Sequence, residues 1–340
     1  MRPTVHDIAA EAGVSLATVD RVLNGRPGVR RQTVDKVETA VQRLGYVRDV
    51  TAANLAKRRV YPLVFIVPEG PNSFMRGLEA EIRASMQRSA VERTSITIET
   101  VPPFDAAAIV RVLDAIDPEA VTGVALVATD TAEVTEAVDR LIDRGVHVAT
   151  LVSDLPGSRR THFCGIDNLA AGRTAGGLIG RFCGDRSGKV LVVAGSMELS
   201  DHMDRASGFA SVLNAEFQKL EIVGPVETND DADKVRRAVE AALEADPGIV
   251  AIYNLGAGNQ GLIEALSGQE RRKLVVVAHE VTEHSRQALA DGVFDAVINQ
   301  DCGHEVRSAI RVLKARADGL IPLSAQERIR IDIFLRDNLP

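Results

Sequence analysis

The chain has 340 residues and a formal net charge of −7, and 45% of its residues are hydrophobic while only 4% are aromatic. This length exceeds one ordinary hydrophobic core and predicts at least two domains. The sequence shows no apolar run of the roughly 18 residues that a membrane span needs and no apolar N-terminal signal stretch, so we expect a cytoplasmic protein. Three cysteines without CxxC spacing argue against a disulfide framework or a zinc site.

Charge is distributed unevenly along the chain. Residues 1–60 contain eleven Lys or Arg and six Asp or Glu, a formal charge of +5, so the remainder carries −12. A basic segment attached to an acidic body is typical of a site for a polyanion, although a solvated charged surface gives the same balance. The local pattern of the basic segment has to decide between the two interpretations.

The basic segment contains three short helical patterns. Thr4, followed by Asp7, predicts an N-cap and a first helix that stops at Gly13. Ser15 predicts the N-cap of a second helix over 15–24, and the short turn between the two helices is typical of a helix-turn-helix unit. A third helix is predicted from apolar residues at helical spacing, which would bury the first two helices: Val34, Val37, Val41 and Leu44.

The predicted helix over 15–24 is the candidate reading element for double-stranded DNA. In helix-turn-helix docking, the first turn of the second helix faces base edges in the major groove. The candidates for base contacts are Leu16, Ala17, Thr18 and Arg21. Arg21 can donate two hydrogen bonds to a guanine, whereas Leu16 and Ala17 offer only apolar contact.

Other polar residues of the basic segment are candidates for phosphate contacts, which set the register without reading sequence. They are Thr4, Ser15, Asn24, Arg26 and Arg30. Helix capping is a second interpretation of Thr4 and Ser15.

From residue 62 the pattern changes to short β-branched runs that alternate with helical stretches. This alternation predicts an α/β fold with doubly wound parallel sheets that are covered on both faces. The length of the region predicts two lobes. The predicted strands cover residues 63–67, 95–101, 123–128, 146–152, 189–195, 248–254, 274–280 and 295–300.

Polar side chains follow these strands at their carboxyl ends, where open parallel sheets bind ligands. Acids, amides and arginines around an aromatic ring suit a sugar or polyol, because each hydroxyl needs a donor and an acceptor and the apolar face of a sugar can stack on Phe74. We expect such a ligand and no cofactor or metal. The candidate ligand residues are Asn72, Phe74, Ser153, Asp154, Arg160, Asn168, Arg205, Asn254, Glu280 and Gln300.

Some of these candidates have a second interpretation. Asp154 and Asn168 are residue types that cap loops and helices, and Arg160 is a residue type that forms a solvated charge. Asp167, next to Asn168, is expected to be a cap rather than a ligand contact.

Two runs carry a family resemblance. "TVHDIAAEAGVSLATVDRVLNG" and "LGYVRDVTAANLAKRR" resemble the DNA-binding head and hinge of LacI/GalR-type bacterial transcription regulators, and the body is similar to the periplasmic-binding-protein fold of their effector domain. The resemblance implies a hinge helix whose Leu55 wedges into the minor groove of operator DNA. It also implies effector contact by Arg205 and a homodimer that binds a pseudo-palindromic operator as an effector-controlled repressor.

The resemblance also implies domain boundaries. We expect a helix-turn-helix domain over 1–48, a hinge helix and linker over 49–61, and an effector-binding and dimerisation domain over 62–340. Three backbone crossings would divide the last domain into an N-lobe and a C-lobe, which cover about 62–161 with 293–322 and about 162–292 with 323–340.

Asp20 and Glu280 depart from the family pattern. Asp20 stands where a serine is usual, so an acid is expected beside DNA phosphates unless a neighbouring cation pairs with it. Glu280 stands where sugar-binding relatives have an aspartate, which is one methylene shorter.

Two other function classes match parts of the pattern. A sugar-binding solute receptor without a DNA role has the same two-lobed fold, but it would not carry a basic helix-turn-helix. An enzyme is disfavoured because the sequence contains no P-loop, no GxSxG elbow and no HExxH. "GAGNQG" at 256–261 contains GxGxxG, but it does not lie in a first βαβ unit, so it is a weak indication of a dinucleotide site.

Overall fold

The computed structural model describes residues 3–46, 59–267 and 274–340. The chain divides into two compact units, residues 1–59 and 60–340. The predicted hinge residue Leu55 lies outside the described residues. In the described part of the chain, no helix is both long and apolar enough to cross a membrane.

The first unit contains the three predicted helices, α1 (Val5–Ala12), α2 (Leu16–Leu23) and α3 (Arg31–Leu44). Gly13 ends α1 with a φ of 65°, a left-handed conformation that a glycine adopts without the steric cost of a Cβ. The buried core of the unit consists of Ile8, Val19, Val37 and Ala40. Ala40, rather than the predicted Val34, contributes to this core, because it lies one turn from Val37 on the buried face of α3.

The first lobe of the second unit is built on a parallel sheet with the strand order β2-β1-β3-β4-β5. Its strands are β1 (Tyr61–Pro68), β2 (Thr94–Val101), β3 (Gly123–Leu126), β4 (His147–Leu151) and β5 (His162–Cys164). The helices in this part of the chain are α4 (Ser73–Gln87), α5 (Ser89–Glu92), α6 (Ala106–Ala115) and α7 (Ala132–Asp143). Both faces of the central strands are buried, which explains why β1 reads as a continuous apolar run.

The second lobe is built on a sheet with the order β11-β10-β9-β8-β6-β7, in which only the pairing of β10 with β11 is antiparallel. Its strands are β6 (Gly188–Ala194), β7 (Leu220–Glu227), β8 (Ile249–Asn254), β9 (Val275–His279), β10 (Ala296–Asn299) and β11 (Asp332–Phe334). The helices in this part of the chain are α8 (Asn168–Cys183), α9 (Ser200–Glu216), α10 (Ala232–Ala245), α11 (Asn259–Leu266), α12 (Glu283–Ala290), α13 (Cys302–Ala317), α14 (Ser324–Glu327) and a short 3-10 helix (Arg336–Asn338).

The lobe boundaries differ from the expected ones at two crossings. β5, expected in the C-lobe from residue 162, pairs with β4 in the first sheet, and β10, expected in the N-lobe from residue 293, pairs with β9 in the second. A strand belongs to the sheet that satisfies its backbone N–H and C=O groups, so the chain crosses only after each strand has ended. Helix α13 then packs on the first sheet, where Val306 and Ile310 share a core cluster with Phe65.

All eight predicted strands are confirmed to within two residues at each end, but β5, β7 and β11 were not predicted. β5 and β11 have only three residues each. β7 lies at the edge of its sheet, is largely exposed and contains Gly224 and Pro225. Edge strands tolerate proline, but a Gly-Pro pair in a sequence indicates a break, so the pattern conceals this strand.

Helices α8 and α9 pack so closely that glycine is required on both sides of the contact. A Cβ added at Gly172 would lie 2.0 Å from the carbonyl oxygen of Arg205, and one added at Gly208 would lie 2.1 Å from that of Leu169. These distances are far below van der Waals contact, so any side chain here would push the helices apart. The contact fixes where Arg205 of α9 stands relative to the start of α8.

We expect Gly208→Ala to lower the free energy of unfolding by about 1–3 kcal/mol, because the added methyl overpacks the contact between α8 and α9. Urea denaturation followed by circular dichroism measures this change. Gly157→Ala is the matched control, since a Cβ at Gly157 would meet nothing within 4 Å. Equal stabilities of the two variants would contradict this account of the helix contact.

Candidate DNA interface and interlobe ligand site

The outward face of α2 carries the residues predicted to contact bases. Val19 on the opposite face is fully buried, whereas Leu16 is 42% exposed and Ala17 and Arg21 are also exposed. Thr18 is half-buried, and its hydroxyl oxygen lies 2.9 Å from that of Ser15. The helix therefore presents Leu16, Ala17 and Arg21 to solvent together, and their contact with bases stays a prediction.

Thr4 and Ser15 cap the first two helices. The Thr4 hydroxyl accepts a hydrogen bond from the amide of Asp7, and the Asp7 carboxylate accepts one from the amide of Thr4 at 2.7 Å, which together form a capping box. The Ser15 hydroxyl accepts a hydrogen bond from the amide of Thr18 at 3.2 Å. Capping therefore accounts for both residues, and their phosphate contacts stay a prediction.

The unusual acid on α2 has partners within the head. The side-chain amide of Asn24 donates to the Asp20 carboxylate at 2.7 Å, and Arg26 Nη1 lies 3.4 Å from the same carboxylate. Asp20 and Arg26 are more than half exposed, so their pair is a weak interaction that DNA phosphates can replace. The pairing removes the repulsion expected of Asp20, and it engages two of the residues predicted to contact phosphates. Arg30 is exposed and immediately precedes α3.

In the second unit, a buried arginine organises the polar residues between the lobes. Arg205 is 3% exposed, and its Nε donates to Asn168 Oδ1 at 2.8 Å while its Nη1 donates to the carbonyl of Leu255 at 2.9 Å. Its Nη2 lies 3.8 Å from carboxylate oxygens of both Asp201 and Glu280. The arginine therefore joins α8, α9 and the ends of two strands of the second sheet.

Glu280 follows β9 and faces Arg205. Its carboxylate accepts a hydrogen bond from the Gln300 side chain at 2.8 Å, and it adopts a φ of 68°, which is rare for a residue with a side chain. Burial raises the pKa of Glu280 to about 7, although Arg205 and Gln300 favour its charged form. This carboxyl group therefore titrates near neutral pH.

Left-handed backbone recurs at the carboxyl ends of the strands. Phe104, Val152, Asn229 and Asp230 share this conformation with Glu280, and each lies within three residues after the end of a strand, whereas Arg93, which also shares it, ends α5. Residues in such conformations cluster at binding sites, because the surrounding contacts must hold them there.

A chain of amides links the ends of β8 and β9. Asn254 Nδ2 donates to Asn259 Oδ1 at 2.8 Å, and Asn259 Nδ2 donates to the carbonyl of His279 at 2.8 Å. The His279 ring nitrogen Nε2 lies 2.8 Å from the hydroxyl of Tyr253. Burial holds the pKa of His279 well below its usual value, so the ring is neutral. The network keeps Asn254 rigid beside Arg205, whose Nη1 binds the next residue in the chain.

Residues of the first lobe reach the cleft from the start of α4. Asn72 and Phe74 line a cavity of about 100 Å³ together with Asn259, His279 and Glu280 of the second lobe. Asn72 Nδ2 also approaches Asp230 Oδ2 at 3.4 Å, across the two lobes. Six of the predicted ligand residues therefore lie in this cavity or beside it: Asn72, Phe74, Asn168, Arg205, Glu280 and Gln300. Asn254 joins them through Asn259.

Ser153, Asp154 and Arg160 make contacts of another kind. The hydroxyl oxygens of Ser153 and Ser200 lie 3.2 Å apart, and Ser200 also bonds with the backbone of Asp154 across the lobes. The Asp154 side chain forms a close ion pair with Arg160 and accepts a hydrogen bond from Thr150. Asp154 and Arg160 therefore stabilise the segment between β4 and β5, and they do not line the cavity that holds Asn72 and Phe74. Asp167 caps α8 as predicted.

Sequence reasoning missed several residues of the site. Asp201 precedes Arg205 by one helical turn, Asp230 bridges to Asn72, and Glu305 is fully buried in the first turn of α13. Burial is the largest cause that raises the pKa of Glu305 well above its usual value, and the negative charge of the nearby Glu280 raises it further. An i, i+4 acid–arginine pair was the available signal for Asp201. Glu305 gave no signal, because acids in a first helical turn are common at the surface.

An apolar cavity of about 210 Å³ adjoins this site. It is lined by the ends of β1, β2 and β3, which include Val101 and Phe104, and by Leu199 of the second lobe. Asn72 and Asp230 line both this cavity and the smaller one, so their contact separates the polar region from the apolar one.

The glycines of "GAGNQG" have packing roles. A Cβ at Gly256 would lie 2.7 Å from the Asp230 carboxylate, and one at Gly261 would lie 1.8 Å from the carbonyl of Ala232. Gly258 has a φ of 81° before α11. Close packing and a left-handed turn therefore account for the glycine spacing without a dinucleotide.

Comparison with known proteins agrees with this two-part organisation. Residues 4–49 match the family model "Bacterial regulatory proteins, lacI family", and residues 63–320 match "Periplasmic binding protein domain". Catabolite control protein A of Priestia megaterium is 41% identical over 83 residues, which cover 23% of this chain and 25% of that protein. The match thus spans about a quarter of the length of this curated relative.

Solved structures resemble the body of the chain. The glucose-galactose binding protein GanP of Geobacillus stearothermophilus aligns with a TM-score of 0.73 at 19% identity, over 83% of this chain and 99% of that one. A solute-binding protein of Burkholderia graminis in complex with D-arabinose aligns with a TM-score of 0.71 at 21% identity, over 82% and 96%. At these identities the likeness shows the fold alone. With both family models matched in the expected order, the chain belongs to the lacI family of bacterial regulatory proteins, and a periplasmic-binding-protein domain follows its helix-turn-helix head.

Proposed function

We propose that this protein is a repressor: a homodimer whose paired heads bind a pseudo-palindromic operator and whose body binds a sugar or polyol effector between its lobes. The observation that carries the proposal is the convergence of buried amides and acids on Arg205, in a chain with a lacI-family head. Polar groups fixed in this way suit a ligand rich in hydroxyl groups, because each hydroxyl both donates and accepts.

The DNA half of the proposal rests on α2. A two-fold axis would place two such helices in successive major grooves of a near-palindrome, where Arg21 reads a guanine and Leu16 and Ala17 contact apolar base edges. Arg30, Arg26 and Asn24 bind phosphates and set the register. In the proposed complex Leu55 wedges into the minor groove at the centre of the operator.

The effector half rests on the interlobe residues. Phe74 offers an aromatic face, and Asn72, Asn168, Asn254, Gln300 and the charged groups around Arg205 offer donors and acceptors from both lobes. A ligand bound by both lobes stabilises one interlobe angle over others. A sugar is supported as the ligand class because the similar structures are a glucose-galactose binding protein and a solute-binding protein in complex with D-arabinose.

Helix α13 offers a route from the effector to the DNA head. Its first turn carries Glu305 at the cleft, and just beyond its other end the Asp318 carboxylate accepts a hydrogen bond from the Tyr61 hydroxyl at 2.8 Å. The Lys314 ammonium lies 5.3 Å from the centre of the Tyr61 ring. The helix has 16 residues and is about 24 Å long. Tyr61 ends the predicted linker, so a shift of α13 changes the position of that end, and a coupling of about 1–3 kcal/mol suffices for control.

A solute receptor without a DNA role is the alternative. It shares the fold of the body, but it does not account for the solvent-facing Arg21, Leu16 and Ala17 on a helix whose other face is buried. Selection of a specific duplex separates the two functions.

We expect the wild-type protein to select a near-palindrome from a mixed duplex library, with an affinity that falls as salt rises. Arg21→Ala should relax the preference at one position of each half-site by about 1–3 kcal/mol, because the bidentate contact to guanine is lost. Lys36→Ala on the exposed face of α3 is the control and should leave the base preference unchanged. An unaltered preference in Arg21→Ala would refute the proposed role of Arg21.

We expect Arg205→Ala to abolish the response of operator affinity to the effector while it retains operator affinity in buffer. Operator Kd values with and without a sugar or polyol that raises the melting temperature of the wild type measure this response. Arg205→Lys keeps the charge without the planar fork and carries the test if the alanine variant fails to fold. Arg173→Ala, an exposed arginine on the adjacent α8, is the control. If Arg205→Lys kept the full response to the effector, the effector would bind at a site that does not include Arg205.

A further inference from the structure

Several buried polar atoms around Arg205 have no hydrogen-bond partner among the described residues. Three of them are acceptors, Asp201 Oδ1, Asn254 Oδ1 and Gln300 Oε1, and the Glu305 carboxyl, whose two oxygens both lack a partner, offers at least one more. Arg205 Nη2 is the one obligate donor among the described residues of this group, and His279 Nδ1 takes either role. Buried polar groups in proteins are almost always hydrogen-bonded, so this excess of acceptors indicates a ligand that donates.

The charges around these atoms are also unbalanced. Asp201, Glu280 and Glu305 surround the single guanidinium of Arg205, and all four side chains are less than 10% exposed. Arg160, the other arginine predicted for the site, pairs with Asp154 and does not offset these acids. An added anion would therefore meet three carboxyl groups and one cation in a region of low dielectric constant.

Three helix N-termini near the cleft are capped by side chains of the protein, whereas α9 and α11 begin after Leu199 and Gly258 without a side-chain cap. Asp167 caps α8 by accepting from Ala170, Asp301 caps α13 by accepting from His304, and Asn72 caps α4 by accepting from Phe74. Phosphate groups in proteins commonly bind at free helix N-termini or at arginine clusters. The described residues that surround Arg205 form no arginine cluster, and the first turn of α9 already carries the acid Asp201, which opposes an anion at that helix end.

We infer that the effector of the proposed repressor carries no anionic group: it is a neutral or amine-bearing polyol that donates hydrogen bonds to Glu305, Asp201 and Asn254, and sugar phosphates and sugar acids are excluded. The inference rests on the proposed function and narrows its ligand class. It also places the effector in a reaction sequence: the protein binds this compound before a kinase phosphorylates it or an oxidation converts it to an acid.

The surroundings of Glu305 indicate that the site resists further negative charge. The charged groups that face it are Glu280 after β9, Asp201 and Arg205 on α9, and Asp301 at the start of α13. The thiols of Cys164 and Cys302 also lie close, and burial raises the pKa of each to about 12, so both are neutral. Burial and the neighbouring acids raise the pKa of Glu305, so its neutral form is favoured and a further negative charge is disfavoured in the same place.

The first test compares ligands that share a carbon skeleton. The melting temperature is measured with D-glucose, D-glucosamine, D-gluconate and D-glucose 6-phosphate, with the galactose series, and with D-arabinose, myo-inositol and glycerol. Stabilisation is expected only from neutral and amino members. A Glu305→Gln variant separates the two sources of donors. An ammonium group would favour the charged form of Glu305, which glutamine cannot adopt, so the variant should weaken an amino ligand about tenfold more than a hydroxyl ligand. An acid or phosphate that stabilises the wild type, but not Arg205→Lys, would overturn the inference.

The second test needs no ligand, so it separates failure of this inference from failure of the proposed function. A carboxyl whose pKa is higher in the folded than in the unfolded state stabilises the fold less as pH rises, and the loss begins near its unfolded pKa. Unfolding by urea from pH 5 to pH 8 should show Glu305→Gln gaining stability over the wild type as pH rises. Glu283→Gln, an exposed carboxyl on α12, should follow the wild type.

The outcomes of the two tests are distinct. If no panel member stabilises the protein, the sugar or polyol effector of the proposed function is contradicted, while the pH series still decides on the charge of the site. If Glu305→Gln follows the wild type at every pH, Glu305 ionises without cost, the site tolerates negative charge, and the inference is overturned.

Discussion

The burial of one guanidinium group between the lobes is the constraint on which the rest of the site depends. A buried charge destabilises a protein unless its hydrogen bonds and charge are satisfied, so Arg205 requires Asn168, the carbonyl of Leu255 and the nearby acids Asp201 and Glu280 in fixed positions. The glycine contacts between α8 and α9 supply that positioning, because they bring the backbone around Arg205 against the start of α8. Backbone packing between two helices therefore determines where the charged groups of the cleft lie.

In the proposed function, the same arrangement lets a small ligand control the DNA-binding unit. Glu305 and Arg205 approach one region from elements that pack on different sheets, so a ligand that bonds to both fixes the angle between the lobes. Helix α13 carries that constraint along its length to Asp318, which holds Tyr61 at the start of the body. In this proposal the effector does not need to touch the DNA-binding unit, because it acts on Tyr61, where the predicted linker ends.

Much of this organisation is predictable from the sequence because local patterns determine it. The β-branched runs predict the central strands. The rule that ligands bind at the carboxyl ends of parallel strands predicts that Glu280 and Gln300 lie in one site, and their side chains form a 2.8 Å hydrogen bond. The missed features depend on tertiary context. Glu305 resembles any acid in a first helical turn, and only the packing of α13 buries it. The ion pair between Arg160 and Asp154 depends on how the segment between them folds, which the sequence pattern does not show. The Gly-Pro pair in β7 indicates a break, so the pattern does not predict this strand.

The central claim is that the interlobe cleft and the DNA-binding head are thermodynamically coupled. Linkage requires that an effector change operator affinity by the same factor by which operator changes effector affinity. The direct measurement is calorimetric titration of a neutral polyol that stabilises the protein, once into free protein and once into the protein–operator complex, beside operator Kd values with and without that polyol. The account predicts equal factors of about 5 to 150 in the two directions. Identical polyol affinities for free and operator-bound protein would contradict it.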